Sequence, residues 1–371
     1  MRIHIVGLPW TRFNDNYCIC AYTEKCANLS KMLMARGVEV ILYGGPDNTA
    51  PCTKYVKVVT AEEQLRWFGP WSIQRLFDNI TWNENHECWR TMNRCVIDAM
   101  RGCDKHDLIG IIAGTCQKQI ADAFPEMIAA EWGIGYRGTF APFKCFESHA
   151  WRHFHYGLQN MENGTYYDTV IHQYVDVDKF PHINGGQGKY LLNISRLVSR
   201  KGVEEAALIA KLAGLPLKIA GPGATEVIPG LLKSDEITVF GNHIEYVGAV
   251  KPEERSKLMA GARAVLMCTR YLEPGGGVCP QSLTCGTPVI ATDFGCFTEQ
   301  IINNFNGFRF QNIKEAVAAV HRCKDFDNAA IRLHAIRNWS LEATAPKYQR
   351  WLSNLLDIYT TNWDGSAVIK A

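Results

Sequence analysis

The residues of this chain best suited to chemistry are two cations, Arg196 and Lys201, and one carboxylate, Glu273. Arg196 and Lys201 stand five residues apart after the apolar run LLNI, and Gly202 follows them where the sequence predicts the start of a helix. Two cations close to a helix N-terminus can hold a phosphate or a diphosphate through charge and backbone N–H donors together. Basic residues at helix starts are common, so the pattern by itself indicates an anion site without identifying the anion.

Glu273 stands just ahead of a run of glycines in YLEPGGGVCPQSLTCGTPVIATDFG. Glycine lets a ligand approach the backbone closely and lets N–H groups point at an anion or a sugar hydroxyl. Glu273 supplies an acceptor for hydroxyls, and Gln281, eight residues on, lies on the first turns of the next predicted helix and can bond another hydroxyl. The loop therefore suits a ligand with both phosphates and hydroxyls, such as a nucleotide sugar. The backbone positions expected to bind it are Gly275, Gly276, Gly277 and Val278.

The elements that must position these residues follow an alternating pattern. The chain opens with the strand RIHIVG, the amphipathic helix CANLSKMLMARG and the strand VEVILYGG. Further apolar runs, each followed by polar, glycine-rich or helical sequence, occupy residues 54–59, 108–113, 127–130 and 169–175. This alternation predicts an α/β fold in which helices cover both faces of a parallel sheet.

A second alternating series begins at YLLNISRL, after the glycine-rich segment INGGQGK at residues 183–189. Because 371 residues exceed what one core usually supports, we expect two Rossmann-like domains. The predicted segments are an N-terminal domain at 1–183, a C-terminal domain at 184–340, and a helical segment at 341–371 that packs back on the first domain. Two such domains usually hold a ligand between the carboxyl ends of their strands.

Composition excludes several classes. Lys plus Arg number 39 against 37 Asp plus Glu, so overall charge gives no argument for nucleic-acid binding. No run of about 18 apolar residues predicts a membrane span, and MRIHIVGLPW lacks the apolar core of a signal peptide, so we expect a cytoplasmic protein. The 14 cysteines contain no C-x-x-C pair and are expected to be reduced thiols rather than disulfides or metal ligands.

Several motifs together carry a family resemblance. In order and spacing, SRLVSRKG, IAGPG, EYVGAV, EPGGGVCPQSLTCGTPVIATDFGCFTEQI and NNFNGF resemble the landmarks of retaining glycosyltransferases of the glycogen-synthase-like family 4. The match spans roughly residues 189–310; in the first half it is looser and includes CFESHAWRHFHYG, which resembles the family's serine-containing helix start. The resemblance implies the GT-B fold, an interdomain cleft, and a UDP- or GDP-linked sugar as donor, with no further cofactor and no metal.

The resemblance also implies roles for single residues. Arg196 and Lys201 would neutralise the donor diphosphate, while Glu273 and the amides of the glycine run would hold the donor sugar. Gly221, in IAGPG, would lie on the donor side of the cleft. Gln281 stands where the family has a second glutamate that reads the ribose hydroxyls, and glutamine can still make such hydrogen bonds.

The first half supplies candidates that are less certain in role. Many family members carry a histidine after a first-domain strand, and here MIAAEWGIGYRG has none, so Glu131 becomes a candidate catalytic contact in an expected strand-end loop. Its alternative role is to cap local backbone. The acceptor side is expected in the loop LPWTRFNDNYC, at Asn14, Asp15, Asn16 and Tyr17, where an Asx turn that caps a helix is an equally good and compatible interpretation.

The implied reaction moves a glycosyl group from the nucleotide-diphosphate sugar to a hydroxyl of a glycan or another acceptor, with retention at the anomeric carbon. One alternative is a phage-type glycosyltransferase that acts on hydroxymethylated DNA bases, for which WRHFHYG offers aromatic and basic side chains. A dinucleotide-dependent oxidoreductase is disfavoured because GLPWTRF after the first strand is not G-x-G-x-x-G. A non-catalytic nucleotide-sugar binder stays open, since Gln281 and the missing histidine are departures from the family.

Overall fold

The structure is a computed structural model that describes residues 1–74, 79–184 and 188–359. The centre of INGGQGK, residues 185–187, and residues 360–371 of the expected C-terminal segment lie outside the described residues.

The first half of the chain forms a parallel sheet covered by helices. Its strands are β1 (Arg2–Val6), β2 (Glu39–Gly44), β3 (Lys54–Lys57), β4 (Leu108–Ile111), β5 (Ile128–Trp132), β6 (Phe143–Phe146) and β7 (Thr169–Val170). The helices between them are α1 (Ala21–Met34), α2 (Ala61–Phe68), α3 (Glu87–Met100), α4 (Lys118–Ala123) and α5 (His149–Leu158). The strands lie in the order β3-β2-β1-β4-β5-β6-β7, and every pairing in the sheet is parallel.

The second half builds a similar sheet. Its strands are β8 (Tyr190–Ile194), β9 (Leu217–Ala220), β10 (Glu226–Ile228), β11 (Leu231–Lys233), β12 (Thr238–Phe240), β13 (Ile244–Gly248), β14 (Ala262–Met267), β15 (Val289–Thr292) and β16 (Gly307–Phe310). Its helices are α6 (Val203–Leu212), α7 (Pro252–Gly261), α8 (Val278–Thr284), α9 (Phe297–Gln300), α10 (Ile313–Arg322) and α11 (Asn328–Trp339). The parallel sheet has the order β13-β9-β8-β14-β15-β16, and β10-β11-β12 form a small antiparallel sheet.

In both parallel sheets the strand order reverses at the first strand, so later strands are added on its other side. In the first sheet β1 pairs with β2 on one side and β4 on the other, and in the second β8 pairs with β9 and β14. At such a switch point the two connecting loops leave on opposite faces, so a crevice opens at the carboxyl ends of the strands. The predicted α/β class with two parallel, Rossmann-like sheets is confirmed.

The last described helix packs against the first sheet. Helix α12 (Leu341–Asp357) places Tyr348, Trp351 and Leu355 in the same buried cluster as Ile3 and Leu29. Tyr348 and Trp351 are therefore core residues of the first half. Among the described residues, no helix combines the length and the apolar character needed to cross a bilayer.

Candidate functional site

A glycine brings the loop after β8 against the end of β14. Gly202 has φ +69°, and a Cβ at this position would overlap the carbonyl oxygen of Cys268. Beside it, the backbone N–H of Arg270 donates to the carbonyl of Arg200 at 2.8 Å. Only a residue without a side chain lets the backbone at position 202 come this close to Cys268. The loop after β8, which carries Lys201, therefore lies directly against the loop after β14.

Lys201 and Glu273 meet at the switch point between β8 and β14. The ammonium Nζ of Lys201 donates to Glu273 Oε2 at 2.7 Å and to the hydroxyl of Tyr271 at 2.8 Å. The two charged side chains are 16% and 13% exposed, so the pair is partly shielded from water but open to a ligand. Burial, together with the nearby Glu273 carboxylate, raises the pKa of Tyr271, so its hydroxyl stays neutral and can act as a hydrogen-bond donor or acceptor.

Arg196 lies at the same crevice. It is exposed and forms no ion pair with any residue that the structure describes. Its charge, with that of Arg200, opposes the burial that raises the pKa of Tyr271 and of Tyr22 in the first half. Arg200 lies over the Tyr271 ring, with its guanidinium carbon 4.8 Å from the ring centroid. The crevice therefore carries an unpaired positive charge, as an anion site requires.

The glycine run, residues 275–277, packs between the two halves of the chain. A Cβ on Gly275 would lie 2.8 Å from Glu147 Oε2, and one on Gly277 would lie 3.2 Å from Gln173 Cγ; both neighbours belong to the first half. Gly276 has φ +55° and would place a Cβ 2.7 Å from Cys296 Sγ. Close protein packing is thus sufficient reason for these glycines.

The same loop also offers backbone donors. Among the described residues, the amides of Gly276, Gly277 and Val278 donate to no acceptor, whereas the N–H of Cys279 already bonds to Gly276 O at 2.8 Å. These N–H groups follow Glu273 by three to five residues in the same loop, and they can serve a ligand that carries oxygen acceptors.

Gln281 is buried and already has a partner. Gln281 is 7% exposed, and its Oε1 accepts a hydrogen bond from Arg255 Nη1 at 3.2 Å. Arg255, on α7, is 8% exposed, and its Nε has no partner among the described residues. Sequence reasoning missed Arg255, because nothing in a basic residue on a helix indicates that it will be buried beside Gln281.

Gly221 supports the loop of the cations. It has φ +146°, and a Cβ there would overlap the carbonyl oxygen of Ser195, directly before Arg196. Gly221 therefore lets the end of β9 lie against the end of β8. Its observed contact is with the protein backbone.

The expectation that Glu131 lies in a strand-end loop is wrong. Glu131 lies inside β5 and is 0% exposed, and its Oε2 accepts from the N–H of Phe140 at 3.2 Å. Burial, opposed by the charge of Lys144, raises the pKa of Glu131 to about 8. The strand extends two residues past the predicted 127–130, so Glu131 is a buried strand residue whose carboxylate caps local backbone, the alternative role expected for it.

The N-terminal loop forms the predicted Asx turn. Asn14 Oδ1 accepts from the N–H of Asn16 at 3.0 Å, at the start of a short 3-10 helix over Asp15–Tyr17. Asn16 Oδ1 accepts from Lys251 Nζ at 3.3 Å, so the loop touches the second half. Tyr17 is 5% exposed and stacks on an indole ring, so it does not rim the cleft as expected; the exposed members are Asp15 and Asn16.

Sequence reasoning also missed a buried ion pair beneath the glycine run. Lys25, on α1, bonds to Glu147, which follows β6, with 2.7 Å between Nζ and Oε2. Glu147 immediately precedes Ser148, the N-cap of α5, so the segment CFESHAWRHFHYG did contain it. The signal available was a carboxylate at the end of a strand, which does not reveal its partner 122 residues away.

One cluster outside the cleft has metal-ligand chemistry. Ligand atoms of His4, Cys103 and Asp107 lie within 4.8 Å of one another; His4 is the middle residue of β1, and Asp107 directly precedes β4. His4 bonds to Tyr43 at 2.8 Å and to Asp107 at 3.2 Å, and Arg2 also pairs with Asp107. His4 and Asp107 therefore already have protein partners, so their burial needs no ion to explain it.

Comparison with known proteins bears on this arrangement. Residues 176–328, which include both loops of the β8 and β14 crevice, match the family model described as "Glycosyl transferases group 1". A comparison with curated protein sequences gives no match. Among solved structures, AviGT4, a glycosyltransferase involved in avilamycin A biosynthesis, is similar with a TM-score of 0.66 at 20% identity, over 96% of this chain and 98% of that chain.

Two further structures show the same architecture. Sucrose-phosphate synthase from Thermosynechococcus elongatus has a TM-score of 0.65 at 14% identity, over 96% of this chain and all of that chain (100%). HepE from Anabaena, solved in complex with UDP-glucose, has a TM-score of 0.64 at 14% identity, over 95% of this chain and 100% of that chain. At such identities these likenesses establish the fold, which is GT-B.

Proposed function

We propose that this chain is a glycosyltransferase that moves a sugar from a nucleotide-diphosphate sugar to an acceptor hydroxyl, with retention of the anomeric configuration. The observation that carries the proposal is the meeting of Lys201 and Glu273 at the switch point of the second sheet, where Arg196 adds a charge that pairs with no carboxylate among the described residues. Cations, a carboxylate and free backbone N–H groups in one crevice suit a ligand that is part diphosphate and part sugar.

The cations act on the diphosphate. Arg196 is free to bind a phosphate oxygen, and Lys201 can add a second charge from its place beside Glu273. Both charges stabilise the negative charge that develops as the glycosidic bond to the diphosphate breaks. The phosphate oxygen that leaves can then take the proton of the attacking hydroxyl on the same face, which gives retention without a metal ion.

Glu273 and the loop amides act on the sugar. Glu273 accepts hydrogen bonds from sugar hydroxyls, and its backbone is fixed because its carbonyl accepts from the N–H of Cys296 at 3.2 Å. Gly276, Gly277 and Val278 supply N–H donors beside it. Gln281 keeps its side-chain NH2 group for a ribose oxygen while its carbonyl holds Arg255.

The comparisons favour UDP over GDP as the nucleotide to try first. HepE from Anabaena was solved with UDP-glucose and shares the fold, and the glycosyltransferase model covers the residues of both loops. We place the domain boundary at 183/184 and the donor on the side of the second domain. The acceptor then enters from the first domain, near Asp15 and Asn16. None of the three similar structures described above supports a DNA acceptor.

A panel of ligands tests the proposal. UDP, GDP and their common sugar conjugates are added separately, and a ligand that binds only the folded protein raises its melting temperature. The expected result is a shift with one nucleotide, followed by turnover of its sugar conjugate that persists in EDTA and gives a retained product by proton NMR. No shift with any member refutes the proposal, and binding without turnover or donor hydrolysis indicates a non-catalytic binder.

A further inference from the structure

The buried pair of Lys25 and Glu147 has no part in the roles above. Its side chains are 6% and 4% exposed, and the ammonium of Lys25 also donates to the carbonyl of Gly133 at 3.1 Å. Gly133 has φ +59°, and the stem of Lys25 fills the space that its side chain would need, since Cδ lies 3.1 Å from the position of a Cβ. The pair is therefore built into the ends of β5 and β6.

Glu147 opens a segment of the first half, the β6–α5 junction at residues 147–150, that rests on the glycine loop. Glu147 Oε2 lies 2.8 Å from where a Cβ of Gly275 would be. The next residue, Ser148, donates its hydroxyl to the carbonyl of Pro274 at 2.7 Å while its oxygen caps α5. Two consecutive residues of the first half thus contact two consecutive residues of the loop that follows Glu273.

The same junction is held from the second half by a carboxylate. Glu299, on α9, accepts from the backbone N–H groups of His149 and Ala150, both at 2.9 Å. His172 reaches the same carboxylate at 2.9 Å. Beside Glu299, the amide of Gln300 donates to the carbonyl of Gly275 at 2.7 Å, so the loop is fixed from both sides.

Stability alone is a weak reason for a buried ion pair here. Desolvation of two charges offsets most of their attraction, and apolar side chains of similar volume often stabilise a fold at least as well. Because Lys25 also donates to the carbonyl of Gly133, its ammonium has a fixed place and holds the Glu147 carboxyl in one direction. Burial raises the pKa of Glu147, the nearby Glu273 carboxylate raises it further, and the charge of Lys25 opposes both effects.

We propose that Lys25 and Glu147 are positioning residues that hold the β6–α5 junction against Pro274 and Gly275, and thereby fix the glycine loop that presents Glu273 to the donor. The effect on the donor rests on the proposed function. The effect on the loop does not, because it concerns contacts within the protein.

The test uses three variants: Lys25→Met, Glu147→Gln, and the double variant that combines these two substitutions. Lys31→Met is the control. Lys31 lies on the same helix and pairs with Asp176 at 2.8 Å, and its side chain is 42% exposed, so Lys31→Met controls for the loss of a paired lysine charge from α1. Hydrogen exchange of peptides that span residues 271–283 is measured without ligand. We expect exchange there to rise about tenfold or more in Lys25→Met and in the double variant, and to stay at the wild-type rate in Lys31→Met.

Kinetics and stability separate positioning from support of the fold. Misplacement of the loop should lower kcat about 10- to 100-fold, while the Kd of the nucleoside diphosphate stays within about twofold because its cations are untouched. The double variant has no lone buried charge, so it should recover thermal stability relative to Lys25→Met but not recover kcat or slow exchange.

Three results would overturn the proposal: wild-type exchange of the loop in folded variants, an equal rise in Lys31→Met, or recovery of kcat together with stability in the double variant. Glu147→Gln keeps the volume of the side chain and serves if Lys25→Met does not fold. A wild-type protein that binds and turns over no nucleotide sugar would instead contradict the proposed function, and the exchange measurement would still decide the positioning role.

Discussion

Replacement of Lys201 by methionine tests the anion site most directly. A hydrogen bond to a charged group contributes about 1.5–3 kcal/mol, and each 1.4 kcal/mol is tenfold in affinity, so the Kd for the nucleoside diphosphate should rise about 10- to 150-fold. Methionine keeps most of the stem of lysine and removes only the charge and its donors.

The same change has a separate and smaller effect on stability. The pair with Glu273 spans 2.7 Å with side chains 16% and 13% exposed, between the surface case of about 0–1 kcal/mol and the fully buried case of about 3–5 kcal/mol. Because the hydroxyl of Tyr271 lies at the same point and can bond to the carboxylate, we expect a loss of about 1–2 kcal/mol.

Lys218→Met is the matched control in the same sheet. Lys218 pairs with Glu245 at 3.2 Å near the amino ends of β9 and β13, with side chains 26% and 58% exposed. It should cost less than about 1 kcal/mol and leave ligand affinity unchanged.

Titration calorimetry with UDP, or with GDP if only that nucleotide binds, and with the nucleoside alone completes the test. The nucleoside has no diphosphate, so its affinity should not respond to the loss of Lys201. Unchanged diphosphate affinity in a folded Lys201→Met protein, or an equal loss for the nucleoside, would refute the assignment of Lys201 to the diphosphate.

Three further predictions follow from the same geometry. Glu273→Ala should lower turnover about 100-fold or more with the fold intact, measured as transfer together with the melting temperature; normal turnover would exclude Glu273 from the site. Gly202→Ala should cost about 3 kcal/mol or more in urea unfolding, because its Cβ overlaps the Cys268 carbonyl, whereas Gly214→Ala, at a similar φ of +68° with no atom within 4 Å, should cost about 1 kcal/mol; equal losses would contradict the packing argument. Burial raises the pKa of Glu131 from 4.5 to about 8, so the folded state holds the proton more tightly than the unfolded state does. The free energy of unfolding should therefore fall as pH rises between these two values, by up to about 1.4 kcal/mol per pH unit. Glu131→Gln should flatten that slope, as measured by melting experiments across this pH range.

The sequence by itself determined the two α/β halves and their parallel sheets, but it did not predict the small antiparallel sheet β10-β11-β12. Apolar runs separated by helical periodicity predict parallel strands wherever they occur, since hydrophobic period and glycine or proline punctuation are local properties. For the same reason Lys201 and Glu273 were found from the sequence: each follows a strand, and loops after parallel strands share one edge of the sheet. Their side chains meet at 2.7 Å because β8 and β14, the strands that precede them, are neighbours in the second sheet.

Tertiary structure alone decided what lies around these residues. Strand β5 runs two residues past its apolar core, which buries Glu131, and no local pattern marks that end. Gln281 meets Arg255 because two helices pack side by side. Lys25 meets Glu147 across 122 residues, and the glycines that the sequence assigned to a ligand also pack against the first half of the chain. Such contacts depend on which surfaces face each other after the sheets have formed. The spacing of residues along the chain does not predict them, because the partners are far apart in sequence.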